Sequence, residues 1–433
     1  MMSDPFQEPI NVKVIKELLD LNYGARMRTW LGICAHCGLC SKSCFFYLSK
    51  GKNPKLTPAY KAKATTAEMY RRRGQVDRKF LDECHDIVWG ECTTCGRCSL
   101  FCPYGIDISE IVSTARGICN SNGIAPESLV KALECYRNAG NQAGLSTEEF
   151  VNICSSVVKK TGSGPNSLQI PIDKAGARIM YTLAGCEPVC YPQNILMAAR
   201  IFNAAGENWT IPSTGWESTN LAMIAGDKAL GGQLVKNMYA KALELGVHAI
   251  AIGESGQAYR SARFEGPYMA GCRDGRTPVP VFHSVSLFYE YLKEGRIRID
   301  PDKMIEEPMT YQDPCNVSRN GGLSEEGRAI IKYVAKDFRD MSPGGIYNHC
   351  CGGGGGLIQM GREFKKRRLE SGRIKAEQIR ATAAKIVVTS CLDCCEQVND
   401  LNKEYDLGVK VMTFKEIISN SMIVPDKVRT IRD

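Results

Sequence analysis

Cys34, Cys37, Cys40 and Cys44 read C-x-x-C-x-x-C-x-x-x-C, and Cys92, Cys95, Cys98 and Cys102 repeat that run, the second followed by Pro103. Three cysteines at two-residue gaps can wrap three corners of a cubane 4Fe-4S cluster, and in two-cluster ferredoxins the fourth reaches the other cluster. The expected ligand sets are therefore crossed: Cys34, Cys37, Cys40 and Cys102 around one cubane, and Cys92, Cys95, Cys98 and Cys44 around the other. Zinc fits less well, because a tetrahedral site made of two C-x-x-C pairs leaves the third cysteine of each run idle. Phe45 stands where a proline often follows the fourth cysteine, which bears on the local turn and not on ligation.

A second constellation lies far downstream: Cys315, the adjacent pair Cys350 and Cys351, then Cys391 and Cys394. Neighbouring thiolates can bind different irons, and one can bridge. The glycine run 352–356 lets backbone come close to a bulky group without side-chain collision. A phosphate-binding loop is excluded there, since no Gly-Lys-Ser/Thr follows. A zinc site or simple buried thiols are the plainer alternatives. Cys395 is a spare ligand or a packing thiol, and Cys84, Cys119, Cys135, Cys154 and Cys272 read as buried small hydrophobes.

The 21 cysteines of the 433-residue chain gather mostly in tight runs. No apolar core follows a basic start in residues 1–30, and the longest apolar stretches fall far short of the roughly 20 residues of a membrane span. The expectation is a reducing cytoplasm, which favours metal ligation over disulfides. The formal charge of +8 and the basic runs at 71–73 and 365–368 read as solvated helix faces or a patch for an acidic protein, not as a nucleic-acid interface.

The elements follow from punctuation and period. Thr57-Pro58 opens a helix that Gly74 closes, and Ser146 with Glu149 forms a capping box ahead of Phe150, Ile153 and Val157. Residues 161–171, rich in Gly, Ser and Pro, read as a linker. Beyond it, short apolar strands at 179–183, 248–252, 386–389 and 410–412 alternate with helical stretches, the grammar of an α/β fold. Segment 248–257 can be laid on 385–394, which sets Glu254 on Cys391 and Gln257 on Cys394. The same offset carried back sets Ser213 and Thr214 on Cys350 and Cys351. With a shorter loop Cys186 lies on Cys315, and 279–288 resembles 409–418. Two repeats follow, and only the second keeps its cysteines. Cys186 and Cys190 read as leftover packing thiols, His283 as a satisfied histidine near a strand end, and His349 as a neighbour of Cys350 able to hydrogen-bond a cluster sulfur.

These motifs carry a resemblance. The first run pair, joined by a helix-like stretch, resembles the helical ferredoxin of succinate dehydrogenase iron-sulfur subunits. The five downstream cysteines resemble the CCG domain of heterodisulfide reductase, and residues 30–420 as a whole resemble the D-type chain of that enzyme. The implied fold is α+β and multidomain: a helical twin-cluster ferredoxin-like domain at 1–170, a degenerate first CCG repeat at 171–300 and a second CCG repeat at 301–433. By resemblance, Cys315, Cys350, Cys351, Cys391 and Cys394 hold a noncubane 4Fe-4S cluster and are catalytic, handling disulfide and thiol chemistry, and no flavin is expected in this chain. Loss of the first site resembles the Dsr, Hmc and Tmc subunits of transmembrane redox complexes in sulfate reducers, the Tmc type most. That implies a subunit on the inner face of the cell membrane, held by a haem b subunit and other partners, and serving a thiol/disulfide protein or small thiol. The rival readings are the iron-sulfur subunit of a lactate, glycolate or glycerol-3-phosphate oxidising complex, and a pure electron relay.

Overall fold

The computed structural model describes residues 9–20, 24–159 and 168–424. Of the expected linker, residues 161–167 lie outside these. The chain forms two compact units. One takes in the chain up to Lys131 together with Ala222–Lys228 and Gly352–Lys375; the other holds Ala132–Leu221, Ala229–Cys351 and the chain from Ala376 onward. The units thus depart from the expected break at 170. Their boundary is set by packing and not by the Gly/Ser/Pro stretch: helix Thr147–Lys159 buries Phe150, Cys154 and Val157, and Phe150 stacks on Trp216 at 4.4 Å.

The first unit is helical. The Thr57 hydroxyl accepts from the Tyr60 N–H at the start of helix Pro58–Ala62, whose proline sits in the first turn where its missing N–H costs nothing. Asp77 and Asp107 cap helices Arg78–Gly90 and Ile108–Asn120 in the same manner. These two helices bury Cys84, Val88, Ile111, Val112, Ala115 and Cys119, so Cys84 and Cys119 are core residues, as their isolation in the sequence suggested. Cys135 and Cys272, read the same way, are only half-buried.

The second unit carries two parallel sheets. Strands β1 (Ile179–Thr182), β2 (Trp209–Thr210), β3 (Ala249–Ile252) and β4 (Val281–His283) take the order β2-β1-β3-β4. Strands β5 (Met309–Tyr311), β6 (Ile386–Thr389) and β7 (Lys410–Thr413) take the order β5-β6-β7, and a bridge from Met309 to Phe338 stands where β2 stands in the first sheet. β1, β3 and β6 are buried along their whole length, as parallel strands covered on both faces must be. One apolar core runs through both sheets, from Tyr181 and Phe202 to Tyr311 and Phe414.

The second unit also buries a carboxyl group. Glu217 accepts a hydrogen bond from the Tyr136 hydroxyl and another from the Gln142 N–H at 2.6 Å. Burial nevertheless pushes its pKa up from 4.5 to about 7. With the folded value above the unfolded one, folding favours the protonated acid. Its contribution is complete below pH 4.5 and is lost as pH rises through about 7. Chemical denaturation across this range should show stability falling by about 3 kcal/mol as pH rises. In Glu217→Gln the slope should shrink by this group's share, leaving what other buried carboxyls contribute.

Candidate iron-sulfur centres

The two N-terminal cysteine runs share a backbone as well as a spacing. In each, the residue before the second cysteine is left-handed (His36 φ 50°, Thr94 φ 50°), and so is the glycine after it (Gly38 φ 79°, Gly96 φ 74°). A short helix then follows, Leu39–Ser43 in one run and Arg97–Leu100 in the other. These reversals turn thiols inward. Cys34, Cys37, Cys40 and Cys102 line one pocket with Ala59, Pro103 and Tyr104. Cys98 has Cys95, Cys44 and Cys92 as its thiol neighbours, and the Thr94 N–H points at the Cys92 Sγ from 3.4 Å. In space the fourth cysteine of each run thus stands with the other run. Burial pushes the Cys40, Cys92 and Cys98 thiols above their usual pKa, with neighbouring thiols adding at Cys98, so a set of thiolates is stable there only against a metal's positive charge. Soft thiol donors in fours, with no disulfide among them, suit 4Fe-4S clusters.

The downstream cysteines gather at the carboxyl edge of the second sheet. Cys315 follows β5 and Cys391 follows β6, neighbouring parallel strands, so both turns lie at one edge. Cys394 sits in the first turn of helix Leu392–Tyr405. The Sγ atoms of Cys351 and Cys394 are 3.3 Å apart, and Cys394 also has Cys391 beside it, which together with burial pushes its thiol far up. Cys315 and Cys350 are buried too. The loops that carry them are pinned by charge. Asp313 is buried, pairs with Arg328 at 2.8 Å and accepts from the Gly345 N–H and the Ser318 hydroxyl. Arg319 grips Asn348, just ahead of His349 and Cys350, with 2.6 Å to its side-chain oxygen. Arg319 therefore positions the Cys350 loop. His349 is buried in that loop. The residue types and their convergence fit a cluster held by thiolates.

The glycine run has a further reason. Gly355 (φ 62°) lies so close to the loop between Cys92 and Cys95 that a Cβ would meet the Thr93 backbone at 2.8 Å. Buried Arg116 fixes this approach, donating to the carbonyls of Cys92 at 2.7 Å, Val88 at 2.9 Å, Gly355 at 2.9 Å and Ile224 at 3.2 Å. Sequence reasoning missed Arg116, which carries no motif.

The first sheet shows what stands in the thiols' place. β3 and β6 keep the expected offset, with Glu254 after β3 and Cys391 after β6. The pairing of Ser213 and Thr214 with Cys350 and Cys351 does not hold. Arg116 binds Ile224 and Gly355, and Gly356 packs on Ile224, which brings these two segments together. Ser218 and Thr219 lie instead at the carboxyl edge of the first sheet, accepting from the Thr182 hydroxyl at 3.2 Å and from the Gly185 N–H at 2.9 Å, and left-handed Asn220 (φ 58°) follows them as left-handed Gly352 (φ 101°) follows Cys351. The ungapped offset failed because the loop before Cys350 and the glycine segment after it are longer than their counterparts. Ser213 instead bonds Asp173. Cys186 remains, with its thiol pushed up by burial and by Asp393 and Glu187, whereas Cys190 is exposed.

An ion cluster also missed from the sequence fills this side. Lys415 and Glu187 form a fully buried pair, Glu254 Oε2 lies 3.7 Å from Lys415 Nζ, and the Tyr181 hydroxyl lies 3.4 Å away. Glu254 accepts from the Phe414 N–H at 2.7 Å, and its carbonyl accepts from the Leu392 N–H. Burial raises Glu254 to about 7, against the pull of Lys415. His283 caps helix Ser284–Lys293 and is driven down to about 3 by burial, a structural residue. The Cys395 thiol is pushed up by burial and by Glu254. Of the basic runs, Arg71 and Arg72 pair with Glu68, while Arg368 is buried rather than solvated.

Residues 30–106 match the family described as 4Fe-4S dicluster domain, and residues 309–399 match the cysteine-rich CCG domain. These two modules in this order define an iron-sulfur protein of oxidoreductase type. The chain is 26% identical over 401 residues to the Hdr-like menaquinol oxidoreductase iron-sulfur subunit 2 of Archaeoglobus fulgidus, covering 81% of this chain and 71% of that protein. It is 22% identical over 420 residues to the D-type chain of the dihydromethanophenazine:CoB–CoM heterodisulfide reductase of Methanosarcina barkeri, covering 90% and 94%. It is 24% identical over 452 residues to the EtfAB:quinone oxidoreductase of Syntrophomonas wolfei, covering 94% and 59%. The chain is a CCG-domain iron-sulfur protein resembling the D-type chain of heterodisulfide reductase. Among the described residues no helix is long and apolar enough to cross a membrane.

Lys415→Met should leave Glu187 and Glu254 buried without their cation and destabilise the second unit by about 3–5 kcal/mol, read as a shift in the denaturation midpoint. The double change Glu187→Gln with Lys415→Met should recover part of that loss.

Proposed function

We propose that this chain is the iron-sulfur component of a redox complex in which Cys315, Cys350, Cys351, Cys391 and Cys394 form a centre for disulfide and thiol chemistry. Eight cysteines of the first unit hold two cubanes in crossed sets, and the five hold a noncubane cluster; when bound, the cubanes carry single electrons and the third cluster offers iron to sulfur. The observation that carries this reading is the convergence of Cys351, Cys391 and Cys394 at the carboxyl edge of the second sheet, with 3.3 Å between two of the sulfurs. The equivalent edge of the first sheet holds Glu254, Ser218 and Thr219. A single centre of this kind remains per chain.

The net reaction takes one disulfide, two electrons and two protons to two thiols, or runs in reverse. The electrons come from or go to a partner. The chain's own residues set the stage. Arg328 and Asp313 fix the turn before Cys315, Arg319 fixes the loop before Cys350, and burial excludes water from the sulfurs. His349, buried and next to Cys350 in the chain, would hydrogen-bond sulfur in this reading. The setting is a membrane-associated complex of the Tmc, Hmc or Dsr type, with this chain on the cytoplasmic face beside a haem b subunit. Support for a quinone-linked assembly comes from two relatives, a menaquinol and a quinone oxidoreductase.

Oxidised protein mixed with a dithiol, or with a small protein bearing a redox-active cysteine pair, should develop a new paramagnetic signal that Cys351→Ala lacks, while the cubane signals of that variant persist. If no thiol or disulfide perturbs any signal while a flavoprotein reduces the protein rapidly, the hydroxyacid or glycerol-3-phosphate reading replaces this one.

A further inference from the structure

The two cysteine runs share spacing and backbone, yet differ in what surrounds them. In the first, Ala35, His36, Cys37 and Leu39 are exposed; in the second, the corresponding stretch buries Thr93, Thr94 and Arg97.

Three buried cations attend the second set. Lys61, 2% exposed, donates to the carbonyl of Glu91, the residue before Cys92. Arg116, fully buried, donates to the carbonyl of Cys92 itself at 2.7 Å. Arg97, between Cys95 and Cys98, donates to the carbonyl of Ser43, the residue before Cys44, at 2.6 Å. Each cation thus sits at, or one residue from, a member of the set Cys92, Cys95, Cys98 and Cys44. The carboxyl groups on this side are Asp107, which accepts from the Ser99 hydroxyl, and half-buried Glu91. The pocket of the first set is lined instead by Ala59, Pro103, Tyr104, Ile106 and Ile108 beside its cysteines, with no lysine or arginine among its lining residues.

We propose that Lys61, Arg97 and Arg116 hold the cubane of Cys92, Cys95, Cys98 and Cys44 at a higher reduction potential than the cubane of Cys34, Cys37, Cys40 and Cys102, making the first an inner electron acceptor and the second a solvent-side port. This rests on the reading that the eight cysteines ligate two cubanes. Reduction adds one negative charge to a cluster that is already anionic, so a nearby buried cation favours the reduced form. Water around Cys37 also favours reduction of the outer cluster, but it acts as a high-dielectric screen, whereas buried charges act at short range with little screening. The order agrees with the chain path. Thr93 packs on Gly355, which lies four residues from Cys351, a reach of at most about 14 Å along the backbone. The inner cubane's loop is therefore the one stitched to the chain that carries the CCG cysteines.

The test is a redox titration of the anaerobically loaded full chain followed by electron paramagnetic resonance. In wild type the two cubane signals should titrate apart, and a water-soluble gadolinium chelate should broaden the lower-potential signal preferentially. In Lys61→Met the higher midpoint should fall by the equivalent of about a tenfold change in the reduced-to-oxidised ratio, about 59 mV for one electron, with the lower midpoint unmoved. Lys61→Arg, which keeps the charge, should restore it. The proposal is overturned if the chelate broadens the higher-potential signal, or if Lys61→Met moves both midpoints or neither at wild-type iron content. Should Lys61→Met fail to load iron, the chelate arm on wild type decides alone. Absence of both cubane signals from wild type would instead refute the iron-sulfur reading.

Discussion

Arg116 spreads its guanidinium over carbonyls from four stretches of chain that are far apart in sequence: Val88, Cys92, Ile224 and Gly355. A guanidinium has five N–H donors in a rigid fork and cannot give up its charge, so burying it demands acceptors on every side. The Trp89 ring supplies a further face at 4.6 Å. Removing any of these carbonyls would leave a buried cation short of partners. This one requirement fixes the loop of the second cysteine run and holds segments 222–228 and 352–360 against it. It also accounts for glycine at 355 and at 226, since a Cβ at 226 would collide with the backbone of Gly117.

The gathering of the N-terminal thiols was legible because the geometry of such a run is local: a fixed spacing turns thiols to one side, whatever the rest of the chain does. The helix starts at Pro58 and Ser146 were legible for a similar reason, since a cap needs only residues three or four apart. The strands at 179, 248, 386 and 410 announced themselves as apolar runs. β5 was not picked out as a strand, being only three residues long. What could not be read is what the fold assembles from distant places. Lys61 and Arg116 look like surface cations in the sequence, and Lys415 like a helix-face lysine, yet all three are buried. The repeat offset was right at β3 and β6 and wrong at Ser213, because a gap in one loop is invisible to an ungapped overlay.

At its carboxyl edge the first sheet carries a buried ion cluster in place of thiols. Where the second sheet has Cys391, the first has Glu254, and the space is taken by Glu187, Glu254 and Lys415 with the Tyr181 hydroxyl beside them. Such a cluster adds little net stability over an apolar filling, because desolvating the charges offsets their attraction. Its effect is to lock geometry. Glu254 bonds the backbone at Phe414 and Leu392, the second of which directly follows Cys391. The ion cluster thus braces the turn that carries the Cys391 thiol.

The central claim is that three clusters, two in crossed cysteine sets and one in the CCG set, occupy one chain. Iron and zinc analysis of anaerobically isolated protein, with Mössbauer spectra to count cluster types, tests it most directly. The account predicts roughly 12 Fe per chain, little zinc and three spectrally distinct clusters. About 8 Fe with the CCG thiols free or holding zinc would contradict it, as would about 16 Fe, which would require a fourth cluster where Glu254, Ser218 and Thr219 now stand.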